Sequence, residues 1–234
     1  MKIYRALSAL LQYPTAELAE AAREIAAMVG AERRVSRPAR AAIGHLAAKL
    51  AGADLLESQE AYVGLFDRSR SLSLHLFEHI HGESRDRGQA MVNLAEHYKS
   101  RGYGIDANEL PDYLPLFLEF LSLVEPKESA ELLSDVAHIL EAIRVRLEGR
   151  GSHYAGVFQA LNDLAARKPD RIAVEDLLQH DKSPEAEAAE LDKEWEEAPA
   201  FGGSADGGCS AARETLNRMA ELAVDTRAPE RKGA

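Results

Sequence analysis

Glu109-Leu110-Pro111-Asp112-Tyr113-Leu114-Pro115-Leu116-Phe117-Leu118-Glu119-Phe120-Leu121 is the stretch on which the fold turns. Leu110-Pro111-Asp112 opens an apolar helix, and Leu114, Phe117, Leu118 and Leu121 leave it apolar on most sides. Such a helix is stable only when neighbours cover it, so it is expected at the centre of the molecule, with Pro126 as its end.

Upstream, the chain supplies the covering helices. Ile3, Leu7, Leu10 and Leu11 recur at helical spacing and stop at Tyr13-Pro14, because proline cannot extend a preceding helix. Thr15 offers an N-cap oxygen to a second helix with Leu18, Ala22, Ile25, Met28 and Val29 on one face. Arg37-Pro38 starts a third with proline in the first turn, carrying Ile43, Leu46 and Leu50. Asp54 can cap a fourth, from Leu55-Leu56 to Tyr62, Leu65 and Phe66. A fifth is expected over Leu72 to His81, ending at Gly82. A sixth begins near Asp86, shows Met91, Leu94 and Tyr98, and breaks at Gly102 and Gly104. Downstream, helices are expected near Glu128–Glu148, Ser152–Ala166 and Val174–Gln179. β-Branched residues are sparse and no stretch reads as a strand. Short helices with shorter connections make an all-α, single-domain bundle.

This helical domain is expected over residues 1–180. Beyond it the character changes: residues 181–200 hold eight acidic side chains against Lys182 and Lys193, which is −6 of a formal net charge of −11. Phe201-Gly202-Gly203 and Gly207-Gly208-Cys209 follow, so 181–234 reads as an acidic, glycine-rich, flexible tail with Trp195 as its best anchor.

Net negative charge repels phosphates, so nucleic acid and anionic lipid are poor main partners, whereas basic peptides are favoured. One Cys rules out an intramolecular disulfide and leaves no Cys cluster for zinc or an iron–sulfur centre. Met1-Lys2-Ile3-Tyr4-Arg5 leads into an amphipathic helix rather than a signal peptide, and no apolar run approaches the roughly 18–20 residues of a membrane span. A cytoplasmic protein is the expectation.

His75-Leu76-Phe77-Glu78-His79 matches H-x-x-E-H, the pattern of one group of zinc peptidases. On a helix, His75 and His79 would lie one turn apart with Glu78 as a base, and His81 or Glu83 could complete the ligands. A solvated polar helix face explains the same residues more simply. The charges around Gly82 (Glu78, His79, His81, Glu83, Arg85, Asp86 and Arg87) fit either a solvated turn or a polar rim beside an apolar groove. There is no phosphate-binding glycine loop, no nucleophile elbow and no basic cluster with aromatic platforms. An enzyme reading has little else to stand on.

Phe66-Asp67-Arg68, Ser73-Leu74 and the long string from Leu76 to Met91 closely resemble the NarJ family, the nitrate reductase delta subunits. Leu7 to Pro14, Glu109 to Leu121 and the acidic Leu191 to Glu197 agree with it, so the resemblance spans nearly the whole chain. It implies a fold shared with chaperones that recognise twin-arginine leader peptides. It implies a chaperone, not an enzyme and with no cofactor of its own, that binds the extreme N-terminus of the catalytic alpha subunit in the cytoplasm. Molybdenum cofactor (and iron–sulfur) insertion into the alpha–beta complex would then precede docking on the membrane anchor. His75 departs from the family, where an apolar residue is expected, which weakens the zinc motif.

On that reading a groove carrying Leu72, Leu76, Phe77, Tyr113, Leu116 and Phe117 takes the apolar face of a helical peptide. Glu78, Glu83, Asp86 and Glu119 meet its basic residues. Phe66, Asp67, His79, His81, Arg85 and Arg87 complete the expected peptide-binding set, and His79 and His81 would make affinity pH-sensitive. The alternatives are a metal-dependent hydrolase using His75, Glu78 and His79, and a chaperone of the same fold serving another molybdoenzyme.

Overall fold

In the computed structural model, residues 1–81, 85–105 and 109–179 are described. Among them are eleven α-helices: α1 Lys2–Leu10, α2 Ala16–Ala31, α3 Arg37–Gly52, α4 Leu55–Phe66, α5 Glu78–His81, α6 Arg85–Ser100, α7 Leu114–Leu123, α8 Pro126–Asp135, α9 Ala137–Gly149, α10 Ala155–Leu164 and α11 Arg171–Gln179. The all-α expectation holds. The expectations for the 181–234 tail, including Trp195 and Cys209, lie outside the described residues, as does Glu83. The side chains of His81, Arg85 and Asp86 do too.

The caps fall where the residue types put them. Thr15 accepts from Leu18 N at 3.2 Å and Asp54 from Leu56 N at 2.9 Å, each satisfying an N–H with no partner inside its helix. Gly102, at φ +76°, takes the left-handed turn that closes α6 and lets Tyr103 N return to Tyr98 O.

α7 is the centre: Leu114, Leu118, Phe120 and Leu121 are fully buried. α1 packs on it and on α2; α3 packs on α2 and α10; α9 packs on α10 and α11. Tyr4, Leu7, Leu10, Leu11, Ile43, Leu140, Ile143, Val157, Phe158 and Leu161 fill the space between them. Polar groups tie the layers where carbonyls end up inside. Ser8 Oγ donates to Pro115 O at 2.8 Å, and Ser129 Oγ donates to Leu121 O at 2.8 Å. Tyr62 Oη donates to Leu11 O at 2.8 Å, satisfying a carbonyl at the end of α1. α3 and α10 touch backbone to backbone: a Cβ at Gly156 would lie 2.5 Å from that of Ala42.

Three helix boundaries differ from expectation. Pro126 opens α8 rather than ending α7, whose last residue is Leu123. The single helix expected over Glu128–Glu148 divides at Val136, next to a point where the Ser134 hydroxyl and Ala166 N–H both reach Ala130 O. A hydroxyl bonded back to the preceding turn bends a helix. The third difference is the one that matters for function. Leu72–His81 is not a helix but a 3-10 turn at Arg70–Leu72, an extended run, and the single turn α5. Its partner, residues 110–113, is likewise a turn and not the first turn of α7.

Candidate functional site

The extended run is held by the start of α7. His75 pairs with Tyr113 in an antiparallel bridge, in which Leu76 N donates to Asp112 O at 3.0 Å and Leu114 N donates to Leu74 O at 2.8 Å. Serines favour this local form over a helix by offering the backbone other partners. Ser73 Oγ accepts from His75 N at 3.1 Å, and the Ser69 and Ser71 hydroxyls lie 2.6 Å apart. Arg146 of α9 reaches across to donate to Ser71 O at 2.9 Å.

Asp112 is the hub, and it is fully buried. One carboxylate oxygen accepts from Phe77 N at 3.1 Å, and the other accepts from His75 Nδ1 at 3.3 Å. Arg87 of α6 stands 3.9 Å from Asp112 Oδ2 and donates to Glu78 Oε1 at 3.0 Å. A buried carboxylate is tolerated only when hydrogen-bonded and paired in this way. The Asp112 hydrogen bond and charge, with Glu78 adding to them, raise the His75 pKa above its ordinary value against the opposing effects of burial and Arg87. His79 Nε2 lies 2.9 Å from Ser73 O; a carbonyl only accepts, so Nε2 carries the hydrogen.

This geometry removes the basis of the zinc motif. His75 is on the extended run and is bonded to Asp112, whereas His79 is on α5 and turned back to Ser73, so helical spacing does not join them. No group of three or more His, Cys, Asp or Glu side chains among the described residues is arranged to hold a metal ion. Nor is His75 incidental, since it pairs with the hub.

The expected peptide-binding residues separate by depth. Phe66, Leu72, Leu76, Leu116 and Phe117 are buried in the core, so in this conformation they do not form an open groove. Phe77, Glu78, His79, Arg87 and Tyr113 are half-buried along one rim, and Asp67 is exposed. Glu119 lies elsewhere, 3.4 Å from the Gln12 amide across the α1–α7 contact.

Beside the bridge is a cavity of about 250 Å³. Tyr13, Tyr62 and Tyr113 give it aromatic walls, Phe66 and Leu74 its floor, and Asp67, Glu109 and His75 its polar groups. Tyr62 meets Tyr13 edge-on with ring centroids 5.7 Å apart, and His75 lies tilted over Tyr113 at 5.4 Å. The single proton of the Tyr62 hydroxyl goes to Leu11 O. Tyr13, Tyr62, Asp112 and Glu109 were not singled out as site residues from the sequence. Asp112 read as the opening of a helix, and a pairing between residues so far apart in the chain leaves no periodic trace. The one available signal was the Pro111-Asp112 step, because a residue before proline avoids helix and an Asp there suits a turn.

A family model described as nitrate reductase delta subunit matches residues 32–160. The chain belongs to that family. It is 41% identical over 194 residues to the nitrate reductase molybdenum cofactor assembly chaperone NarJ of Escherichia coli (strain K12), which covers 82% of this chain and 80% of the relative. It is 38% identical over 197 residues to the probable nitrate reductase molybdenum cofactor assembly chaperone NarW of the same strain, covering 84% and 82%. With the probable NarJ chaperone of Bacillus subtilis (strain 168) it shares 28% identity over 158 residues, or 68% and 85%. The family match includes α3 to α9 and most of α10, and therefore both strands of the His75–Tyr113 bridge and the Asp112 hub. No helix among the described residues is long and apolar enough to cross a membrane.

Proposed function

We propose that this delta-subunit family member is an assembly chaperone. It binds the N-terminal segment of the nitrate reductase alpha subunit in the cytoplasm and holds the alpha–beta complex open to molybdenum cofactor insertion. The observation that carries the reading is similarity over about four fifths of both chains to proteins named as chaperones of this assembly. The rim supports it: Phe77, His79 and Tyr113 present half-buried apolar and aromatic surface beside Glu78 and Asp67, which suits a peptide that is apolar on one face and basic at its ends. Hydrogen bonds with Asp112 and Leu114 and the burial of Leu74 and Leu76 hold the 73–77 run, so it must shift against them to admit a peptide side chain. Peptide contact with Leu72 and Leu76 would require such a shift, since both are covered.

Calorimetry of the full chain with a synthetic peptide covering the alpha subunit's N-terminal segment tests this. Saturable heat is expected, with amide shifts in residues 66–91. Absence of both heat and shifts overturns the reading. Glu78→Gln is expected to weaken binding by about threefold, as one partly screened charge contact is lost.

A further inference from the structure

The Tyr13–Tyr62–Tyr113 cavity is built for a cation. Its rings present π faces and edges, and an aromatic face attracts a guanidinium or ammonium group. Its carboxylates, Asp67 and Glu109, are both exposed and can turn to the occupant, and the lining contains neither Lys nor Arg. Burial pushes the Tyr62 and Tyr113 phenols up, and the charge of Asp67 on both and of Glu109 on Tyr113 adds to it. His75, the one basic group in the lining, is committed to Asp112. Tyr13 is 46% exposed and lines the cavity, so one aromatic wall is open to solvent. By contrast, the cleft of about 710 Å³ between α10 and α11 mixes Glu141, Asp163 and Glu175 with Arg167, Lys168 and Arg171, and so favours no charge.

We infer that this cavity is the subsite for one arginine side chain of the bound peptide, seated against Tyr13, Tyr62 and Tyr113 and paired with Asp67 and Glu109. Arginine is favoured over lysine because a planar guanidinium stacks on rings and offers separate donors to two carboxylates. This deepens the proposed function, on which it rests, by naming the chemistry that anchors the peptide. The cavity's position fits, since the His75–Tyr113 bridge forms its wall and joins it to the rim of Phe77 and Glu78.

Two measurements separate the failure of this inference from failure of the chaperone reading. In the first, the full chain carrying 13C-labelled tyrosine is titrated with N-ethylguanidinium chloride, with sodium chloride and ethylammonium chloride as controls. Saturable shifts of the Tyr13, Tyr62 and Tyr113 ring signals are expected, weaker with ethylammonium and abolished in the Asp67→Asn/Glu109→Gln variant. Both substitutions are at exposed positions and leave the core intact. Shifts that match sodium chloride, or that survive in the variant, overturn the cation site whatever the partner is. In the second, the alpha-subunit peptide is replaced by versions in which each basic residue in turn becomes citrulline or norleucine. One arginine position is expected to lose about tenfold in affinity against the wild-type chain and no more than about twofold against the variant. Equal affinity for all peptides, a loss that persists in the variant, or a lysine as the sensitive position overturns the inference.

Discussion

The α1–α3–α7–α10 core and the 66–81 segment share apolar burial and differ in how far directional bonds supplement it. In the core, Leu7, Ile43, Leu118, Phe158 and Leu161 are buried against one another, and polar groups serve mainly to finish helix ends. In the 66–81 segment, Phe66, Leu72, Leu74 and Leu76 belong to that same core, and a single buried carboxylate, a two-residue bridge and an ion pair to Arg87 add directional bonds. Apolar burial is non-directional and spread over many residues, so it tolerates small displacements. A hydrogen-bonded hub is directional and fails when one member leaves. The fold thus joins an apolar frame to a segment whose conformation directional bonds set, and Phe77, Glu78 and His79 are half-buried on that segment.

The largest effect is expected in the frame. Phe158→Ala removes a fully buried ring between α10 and its neighbours and should cost about 3 to 5 kcal/mol. Urea unfolding followed by circular dichroism and by ring fluorescence should shift together, because the loss is shared by the whole core. Separate transitions would mean that the frame is not one cooperative unit.

Asp112→Ala should cost slightly less, about 3 kcal/mol, by leaving Phe77 N–H, the His75 ring and part of the Arg87 charge without their acceptor. The effect should be local first. Hydrogen exchange at residues 74–78 should accelerate well before that of α1 or α10. Asp112→Asn keeps an acceptor oxygen for Phe77 N–H and should cost less than half as much. If the two variants exchange alike, or if α10 opens together with 74–78, the contrast between frame and hub fails.

This contrast also explains which parts were legible in the sequence. The starts of α2, α3 and α4 could be read almost to the residue, because Thr15, Pro38 and Asp54 mark boundaries through local chemistry, whereas α1 ends at Leu10, before the expected stop at Tyr13-Pro14. The Leu72–His81 helix could not be read correctly. Leu72, Leu76 and His79 have helical spacing, but Leu72 is buried from a 3-10 turn and Leu76 from the turn after the bridge, with Leu76 N held by Asp112 O, far along the chain. The division at Val136 has the same origin, since Ala166 N–H supplies a distant partner to Ala130 O. For the site, Phe77, Glu78, His79, Arg87 and Tyr113 were named by resemblance, and each is half-buried. Leu72, Leu76, Leu116 and Phe117 were assigned to a groove because they are apolar, and they are buried in the core, since apolar residues serve core and groove alike. Tyr13, Tyr62 and Glu109 carry no local mark that separates a cavity wall from an ordinary surface.

The smallest effect, and the one that sharpens the contrast most, is in the titration of two histidines. His75 is raised by the Asp112 hydrogen bond and charge and by Glu78, against burial and Arg87. His138 of α9 is lowered by desolvation, which Asp170 only partly offsets. The signs of their contributions to stability are opposite. His75, raised above 6.5, stabilises fully below its unfolded pKa and loses that contribution as pH rises through its folded pKa. His138, lowered below 6.5, favours the fold above its unfolded pKa and loses that benefit as pH falls through its folded value. Imidazole NMR titration should therefore place His75 above 6.5 and His138 below it. Asp112→Asn should bring His75 down and leave His138 unmoved, because Asp112 acts on the first and desolvation on the second. The stability lost in His75→Gln should be greater at pH 6 than at pH 8.5, whereas His138→Gln should show the reverse trend. A His75 that titrates below His138, or that ignores Asp112→Asn, would mean that the hub is not closed in solution and that the 73–77 run is held by its bridge alone.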